Sequence, residues 1–193
     1  MMGFLDILVL AVALSMDSFT MAIISGVVLK RRDWGVIVPL GFLFGFFQAA
    51  MPLLGWLLTA RFSRYIEAYD HWIAFALLVL IGGKMIVGSF QEKVQYAFNP
   101  VRLNTQIALA LATSIDALAV GISFVCVGYT TLGSLLFPLL AVGIASFVLG
   151  VAGCLLGIRF GVTVSRRMKP ELFGGVILVF IGIKILFSHL YGL

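Results

Sequence analysis

The sequence predicts an all-α integral membrane protein: six transmembrane helices arranged as a 3+3 inverted-topology repeat. Three observations predict it. Six apolar stretches each reach the roughly 20 residues that a spanning helix needs. Hydrophobic residues make up 62% of the 193-residue chain and charged residues only 11%, against a soluble norm of about 25% charged. One polar phrase occurs twice inside apolar runs, as Ser15-Met16-Asp17 and as Ser114-Ile115-Asp116.

The spans follow in order. The first, Leu5–Leu29, places Asp17 about 18 Å along its helix from Leu5. It lacks a basic leading segment and carries a central charge, so it is expected to be retained rather than cleaved. The second, Gly35–Ala60, contains Gln48 and Pro52. Proline frees the carbonyl four residues back, here that of Gln48, so a kink is expected beside a polar side chain. The third, Trp72–Phe90, carries Lys84. The fourth, Thr105–Val127, places Asp116 about 16 Å from Thr105, with Thr113 and Ser114 beside it. The fifth, Leu135–Ile158, has Ser146 and Gly150 where the second has Gln48 and Pro52. The sixth, Leu172–Leu190, carries Lys184. Lengths and continuity specify helices rather than barrel strands. Gly41-x-x-x-Gly45 and Gly153-x-x-x-Gly157-x-x-x-Gly161 read as packing positions, where small residues let backbones approach. Trp34, Trp56, Trp72 and Tyr191 read partly as interfacial anchors, with a deeper place open to Trp56.

The two halves align. Asp17 pairs with Asp116 and Pro39 with Pro138, while Ile81-Gly82-Gly83-Lys84 resembles Ile181-Gly182-Ile183-Lys184. Residues 1–92 form the first repeat, 93–104 a cytoplasmic linker and 105–193 the second repeat. Asn99-Pro100 marks a turn in that linker. Three spans per half is an odd number, so the second half enters the membrane from the opposite side. The net charge of +5 is distributed unevenly. Lys30, Arg31, Arg32, Lys93, Arg102, Arg159, Arg166, Arg167 and Lys169 fall on one side, and Arg61 and Arg64 on the other. Basic residues accumulate in cytoplasmic loops. Both termini are therefore expected on the extracytoplasmic side, and no nucleic-acid partner is needed to explain the charge.

A carboxylate within lipid costs roughly 2.5–3.5 kcal/mol on insertion scales, and such residues usually mark an ion pathway. Two facing aspartates supply two negative charges and up to four oxygens, enough to balance one divalent cation. Oxygen-rich sites suit hard ions such as Mg2+, Ca2+ or Mn2+. Gln48, Ser15, Ser114 and Thr113 are possible further ligands, with Ser18 close by. The thioether of Met21 would favour a softer metal. Lys84 and Lys184 are candidate counter-charges that pair with the aspartates when the site is empty. His71, with Glu67 and Asp70, would make an exit station only if it were more than a solvated interface. Cys126 and Cys154 lie within spans and imply neither a disulfide nor a zinc site.

At Ser15-Met16-Asp17-Ser18-Phe19, Pro52-Leu53-Leu54-Gly55-Trp56, His71-Trp72-Ile73-Ala74-Phe75, Gly82-Gly83-Lys84-Met85-Ile86 and Ala112-Thr113-Ser114-Ile115-Asp116-Ala117-Leu118-Ala119-Val120-Gly121, the chain resembles the MntP-type manganese efflux pumps of bacteria. The resemblance spans essentially the full length. It implies a multi-pass exporter of Mn2+ in the inner membrane, with Asp17 and Asp116 as the essential acidic residues. It also implies a departure: members of that family carry a glutamate where this chain has Gln48.

The expectation is thus a divalent-cation exporter working by alternating access, with Mn2+ as transported substrate, the lipid bilayer as its partner and no cofactor. Expelling a divalent ion against about 100 mV costs about twice 2.3 kcal/mol, so coupling is required. Proton antiport is the expected form, because carboxylates that shed metal can take up protons. No nucleotide-binding motif is present. Rival readings are an exporter of another divalent metal or of a basic amino acid, an intramembrane aspartyl enzyme using a shared proton, and a structural subunit.

Overall fold

The computed structural model describes residues 3–60, 75–76, 78–81, 83, 86–87, 99–160 and 176–183. Every regular element among them is helical. In chain order these are α1 (Phe4–Leu14), α2 (Met16–Leu29), α3 (Trp34–Ala60), α4 (Leu103–Cys126) and α5 (Leu132–Phe160). Further helical residues occur between 75 and 87 and at 176–183. Among the described residues, four stretches are long and apolar enough to cross a membrane: Phe4–Leu29, Trp34–Thr59, Leu103–Cys126 and Leu132–Phe160. They fall within a few residues of the expected first, second, fourth and fifth spans. The expected third and sixth spans lie largely outside the described residues.

The ends of these helices have local causes. At the α2–α3 connection Lys30 adopts the left-handed conformation with φ 60°, and its N–H donates to the Gly26 carbonyl at 3.1 Å. Asp33 then caps α3, its carboxylate accepting from the Gly35 N–H at 3.1 Å. Ahead of α4, Asn99 makes the expected turn, its side chain accepting from the Val101 N–H at 3.0 Å. After α4 the chain turns through Gly128 at φ 92°, a conformation that side chains disfavour.

Glycine decides how the helices cross. A Cβ on Gly55 would collide with the Leu118 carbonyl, and one on Gly121 with the Pro52 carbonyl, so α3 and α4 touch backbone to backbone. Likewise Gly26 lies on the Cys154 carbonyl and Gly157 on the Ile23 carbonyl, which joins α2 to α5. A Cβ on Gly153 would stand 2.7 Å from the Phe19 oxygen, and one on Gly45 2.7 Å from the Gly143 oxygen. The packing role expected of the Gly41 and Gly153 motifs is therefore seen at each described glycine of the two. Without a hydrophobic force between helices in lipid, such close approach is a main source of attraction.

These contacts also fix direction. Gln106 of α4 donates toward the Val36 carbonyl of α3 at 3.4 Å. Farther along both helices, Trp56 Nε1 donates to the Tyr129 carbonyl at 2.5 Å. The pair α3 and α4 is thus parallel. By the same logic α2 and α5 are parallel, since Ser15 meets Ser146 and Gly26 meets Cys154. The pair α3 and α5 is antiparallel, with Gly41 against Val151 and Ala49 against Gly143. Trp56 is buried in the core, in keeping with the deeper place left open to it. Trp34, by contrast, is exposed at the start of α3.

The buried apolar side chains form two clusters. One gathers Leu10 and Leu14 of α1, Trp56 of α3, Val120 and Phe124 of α4, and Leu135 and Val142 of α5. The other gathers Ala22 of α2, Ile37, Leu40 and Phe44 of α3, Ala110 of α4 and Cys154 of α5. Large apolar residues such as Phe42, Phe46, Ile115 and Ile144 face outward, as a lipid-facing surface requires.

Gly121→Ala is expected to destabilise the bundle by about 2 kcal/mol or more, because backbone rather than a flexible side chain meets the new methyl. Gly133→Ala, which meets open space, should leave the melting temperature in detergent unchanged or slightly raised. Equal melting temperatures for the two variants would contradict the backbone contact.

Candidate functional site at the membrane midplane

Between the two apolar clusters lies a polar layer. Along the first span Ser15 and Ser18 fall between Leu14 and Ala22; along α3, Gln48 falls between Phe44 and Trp56. Along α4, Thr113, Ser114 and Asp116 fall between Ala110 and Ala117; along α5, Ser146 falls between Val142 and Cys154. All seven polar side chains are buried, with Asp116 9% exposed and Gln48 and Ser146 0%.

The layer is organised around a break. The first span is not one helix: α1 ends at Leu14, Ser15 stands outside, and α2 begins at Met16. Serine competes with the backbone for its own turn. Here Ser15 Oγ donates to the Ala11 carbonyl at 2.6 Å. Helix ends leave carbonyls without intrahelical partners, and a neighbour takes one of them. Gln48 Nε2 donates to the Leu14 carbonyl at 2.8 Å. Ser146 Oγ lies 2.7 Å from Ser15 Oγ. Since Ser15 has one hydroxyl proton and gives it to Ala11, Ser146 is the donor in that pair. The break brings the negative end of α1 and the positive end of α2 to one level. Asp17 sits in the first turn of α2.

At Pro52, where a kink is expected, α3 continues as one helix through both Pro39 and Pro52. The Pro52 carbonyl lies on Gly121 of α4. The discontinuity falls instead at Ser15. Gln48 does contribute its side-chain amide at this level, as expected, but to a neighbouring backbone.

Asp116 rides on the continuous helix α4. Its Oδ1 is buried and without a hydrogen-bond partner among the described residues. It lies ten residues beyond Gln106, about 15 Å along α4, while Gln48 lies about 18 Å beyond Val36 along the parallel α3. Asp116 and Gln48 therefore share a level, with the Ser15 break joined to it through Gln48. Thr113 Oγ1 donates to the Leu109 carbonyl at 3.0 Å and Ser114 Oγ to the Ala110 carbonyl at 2.8 Å. These protons are spent inside α4, which leaves the oxygens as acceptors. Gln48 Oε1 and Ser18 Oγ are likewise buried without partners among the described residues.

Asp17 is half-buried. Met21, one turn farther on, is partly buried against the second apolar cluster. Lys84 and Lys184 lie outside the described residues, as do His71, Glu67 and Asp70. Among the described residues no group of three His, Cys, Asp or Glu side chains converges. The layer thus offers carboxylate, amide and hydroxyl oxygens, a donor set for a hard cation. Of its members, Ser146 was marked in the sequence only as the counterpart of Gln48, and the Leu14 carbonyl had no sequence signal at all.

Comparison with known proteins agrees in kind. A family model described as "Mntp: Putative manganese efflux pump" matches residues 31–186. A "Putative manganese efflux pump MntP" of Bacteroides fragilis is 48% identical over 188 residues, covering 97% of each chain. That of Phocaeicola vulgatus is 48% identical over 187 residues, again 97% of each. That of Syntrophotalea carbinolica is 46% identical over 186 residues, 95% of this chain and 96% of the relative. No solved structure matches. With a family model covering most of its length and relatives near half-identical from end to end, the chain belongs to the manganese efflux pump family, a family of transporters rather than of enzymes.

Proposed function

We propose that the chain exports Mn2+ across the bacterial inner membrane by alternating access, holding the cation at the midplane between Asp17 and Asp116. The observation that carries this is the buried polar layer between two apolar clusters, with an unpartnered oxygen of Asp116 inside it. A buried carboxylate oxygen without a partner is expensive unless a cation visits it. Ser15, Ser114 and Thr113 supply neutral oxygens to complete a hard-ion shell, and Met21 stands one turn away. Lys84 and Lys184 remain the proposed counter-charges for the empty site. Manganese as cargo comes from the family and its relatives.

The 3+3 inverted repeat is part of the same proposal. Gly55 against the Leu118 carbonyl has a counterpart in Gly153 against the Phe19 carbonyl. Residues 118 and 19 are related by the register that pairs Asp116 with Asp17. The contact between the second span of one half and the first of the other therefore recurs with the halves exchanged. An antiparallel α3–α5 pair is what a two-fold axis in the membrane plane requires. Proton coupling follows from the need for a driving force, with the carboxylates as carriers. The asymmetry of basic residues supports termini on the extracytoplasmic side.

Asp17→Asn and Asp116→Asn are each expected to lower Mn2+ flux in proteoliposomes by at least about 100-fold, beyond the loss typical of disturbing a ligand's support. Both proteins should still fold. Wild-type flux should rise when protons run opposite to the metal. Flux that ignores the pH gradient would remove protons as the coupling ion, and full activity in either variant would sink the site. For topology, Arg31→Cys is expected to react only with thiol reagents that enter the cytoplasm, and Ser134→Cys with impermeant reagents outside. The opposite labelling would invert the orientation.

A further inference from the structure

We propose that Gln48 is a positioning residue: its amide N–H closes the break in the first transmembrane helix and thereby sets where Asp17 stands. The two ends of this amide have different surroundings. Nε2 donates to the Leu14 carbonyl at 2.8 Å, whereas Oε1 is buried and meets no partner among the described residues. Turning the amide over would set oxygen against oxygen, so the hydrogen bond fixes its orientation.

The bond is structural in a particular way. A carbonyl freed at a helix end normally finds water or a capping group. Leu14 is buried in the apolar cluster of the core, far from bulk water along the span, so a side-chain donor must serve. Gln48 is fully buried and reaches across from α3, 34 residues away in sequence. Ser146, from α5, donates to Ser15 from the other member of the central antiparallel pair. The break is therefore held by both central helices. Asp17 follows Ser15 by two residues, less than one turn, so its place depends on how the break is closed. Any sliding of α3 relative to α1 must stretch the Gln48–Leu14 bond and carry Asp17 with it, or release it.

The second half has no such device. In the register of the repeat, Leu14 corresponds to Thr113 and Gln48 to Ser146. A serine is too short to span what a glutamine spans, and α4 is continuous from Leu103 to Cys126. The two aspartates are thus inequivalent: Asp116 is set on a rigid helix, and Asp17 on a joint that Gln48 holds. The transport consequence rests on the export mechanism proposed above; the local closure of the break does not.

The test uses the full chain and two variants. Gln48→His keeps an N–H donor at similar reach but loses the amide oxygen. Gln48→Met loses both. Two readouts are needed, each on monodisperse protein held below its melting temperature. The first is Mn2+ turnover in proteoliposomes. Gln48→His should stay within roughly threefold of wild type, and Gln48→Met should fall by about tenfold or more, the order that one unpaired buried carbonyl implies. The second is backbone hydrogen exchange without metal. Exchange at residues 15–19 should accelerate in Gln48→Met, remain slow in Gln48→His, and stay unchanged elsewhere.

Turnover lost in Gln48→His as deeply as in Gln48→Met, with exchange at residues 15–19 still slow in Gln48→His, would overturn the positioning role and leave Gln48 as a ligand. Unchanged exchange at residues 15–19 in Gln48→Met would overturn it whatever the cargo. If wild-type protein moves no Mn2+, the export mechanism fails, and the exchange pattern alone decides the clamp.

Discussion

Everything at the midplane depends on how closely the helix backbones approach one another. A polar group in lipid is tolerated only when protein surrounds it. Surrounding it requires helices that meet without bulky side chains between them. Gly55 and Gly121 supply that for α3 and α4, and Gly26, Gly153 and Gly157 for α2 and α5. Each removes a Cβ that would stand on a neighbour's carbonyl. The crossings leave apolar clusters to either side and a buried layer between them, in which Asp116, Gln48 and the serines share one level. A Cβ at any of these positions would push the helices apart.

Within that layer the two halves use one pattern to different ends. Ser15 and Ser114 occupy corresponding places, and both hydroxyls donate to the carbonyl four residues back, at 2.6 and 2.8 Å. Such back-bonding weakens a helix but does not by itself break it. The break occurs only at Ser15, where Gln48 supplies the freed carbonyl with a donor.

That explains what the sequence revealed and what it hid. Span positions were legible because apolar length is a local property, and the described helices fall within a few residues of expectation. The role of the Gly41 and Gly153 motifs was legible for the same reason. The Ser15 break was not, because Ser15-x-Asp17 and Ser114-x-Asp116 look alike, and the donor that meets the freed Leu14 carbonyl lies 34 positions away from it. Pro52 drew attention as the strongest local breaker, yet α3 continues as a helix through it. The hydrogen bond that the Trp56 indole N–H makes to the Tyr129 carbonyl, which accompanies its burial, had no signal in the sequence.

The oxygens of the layer also bear on which cations could be served. Thr113 and Ser114 have already given their protons to backbone carbonyls, so their lone pairs need no rearrangement before accepting a cation. In the proposed site, two carboxylates and several neutral oxygens are hard in character but modest in charge. Under the proposed mechanism that moderation is useful, because an exporter must release what it binds. Release also needs a path, and the layer is flanked on both sides by buried apolar side chains, Leu14 and Val142 toward one side and Phe44 and Cys154 toward the other. For a cation to pass, those two clusters must part in turn and never together. A carboxylate carried on a joint between them, as Asp17 is, can follow either opening while Asp116 stays fixed on its unbroken helix.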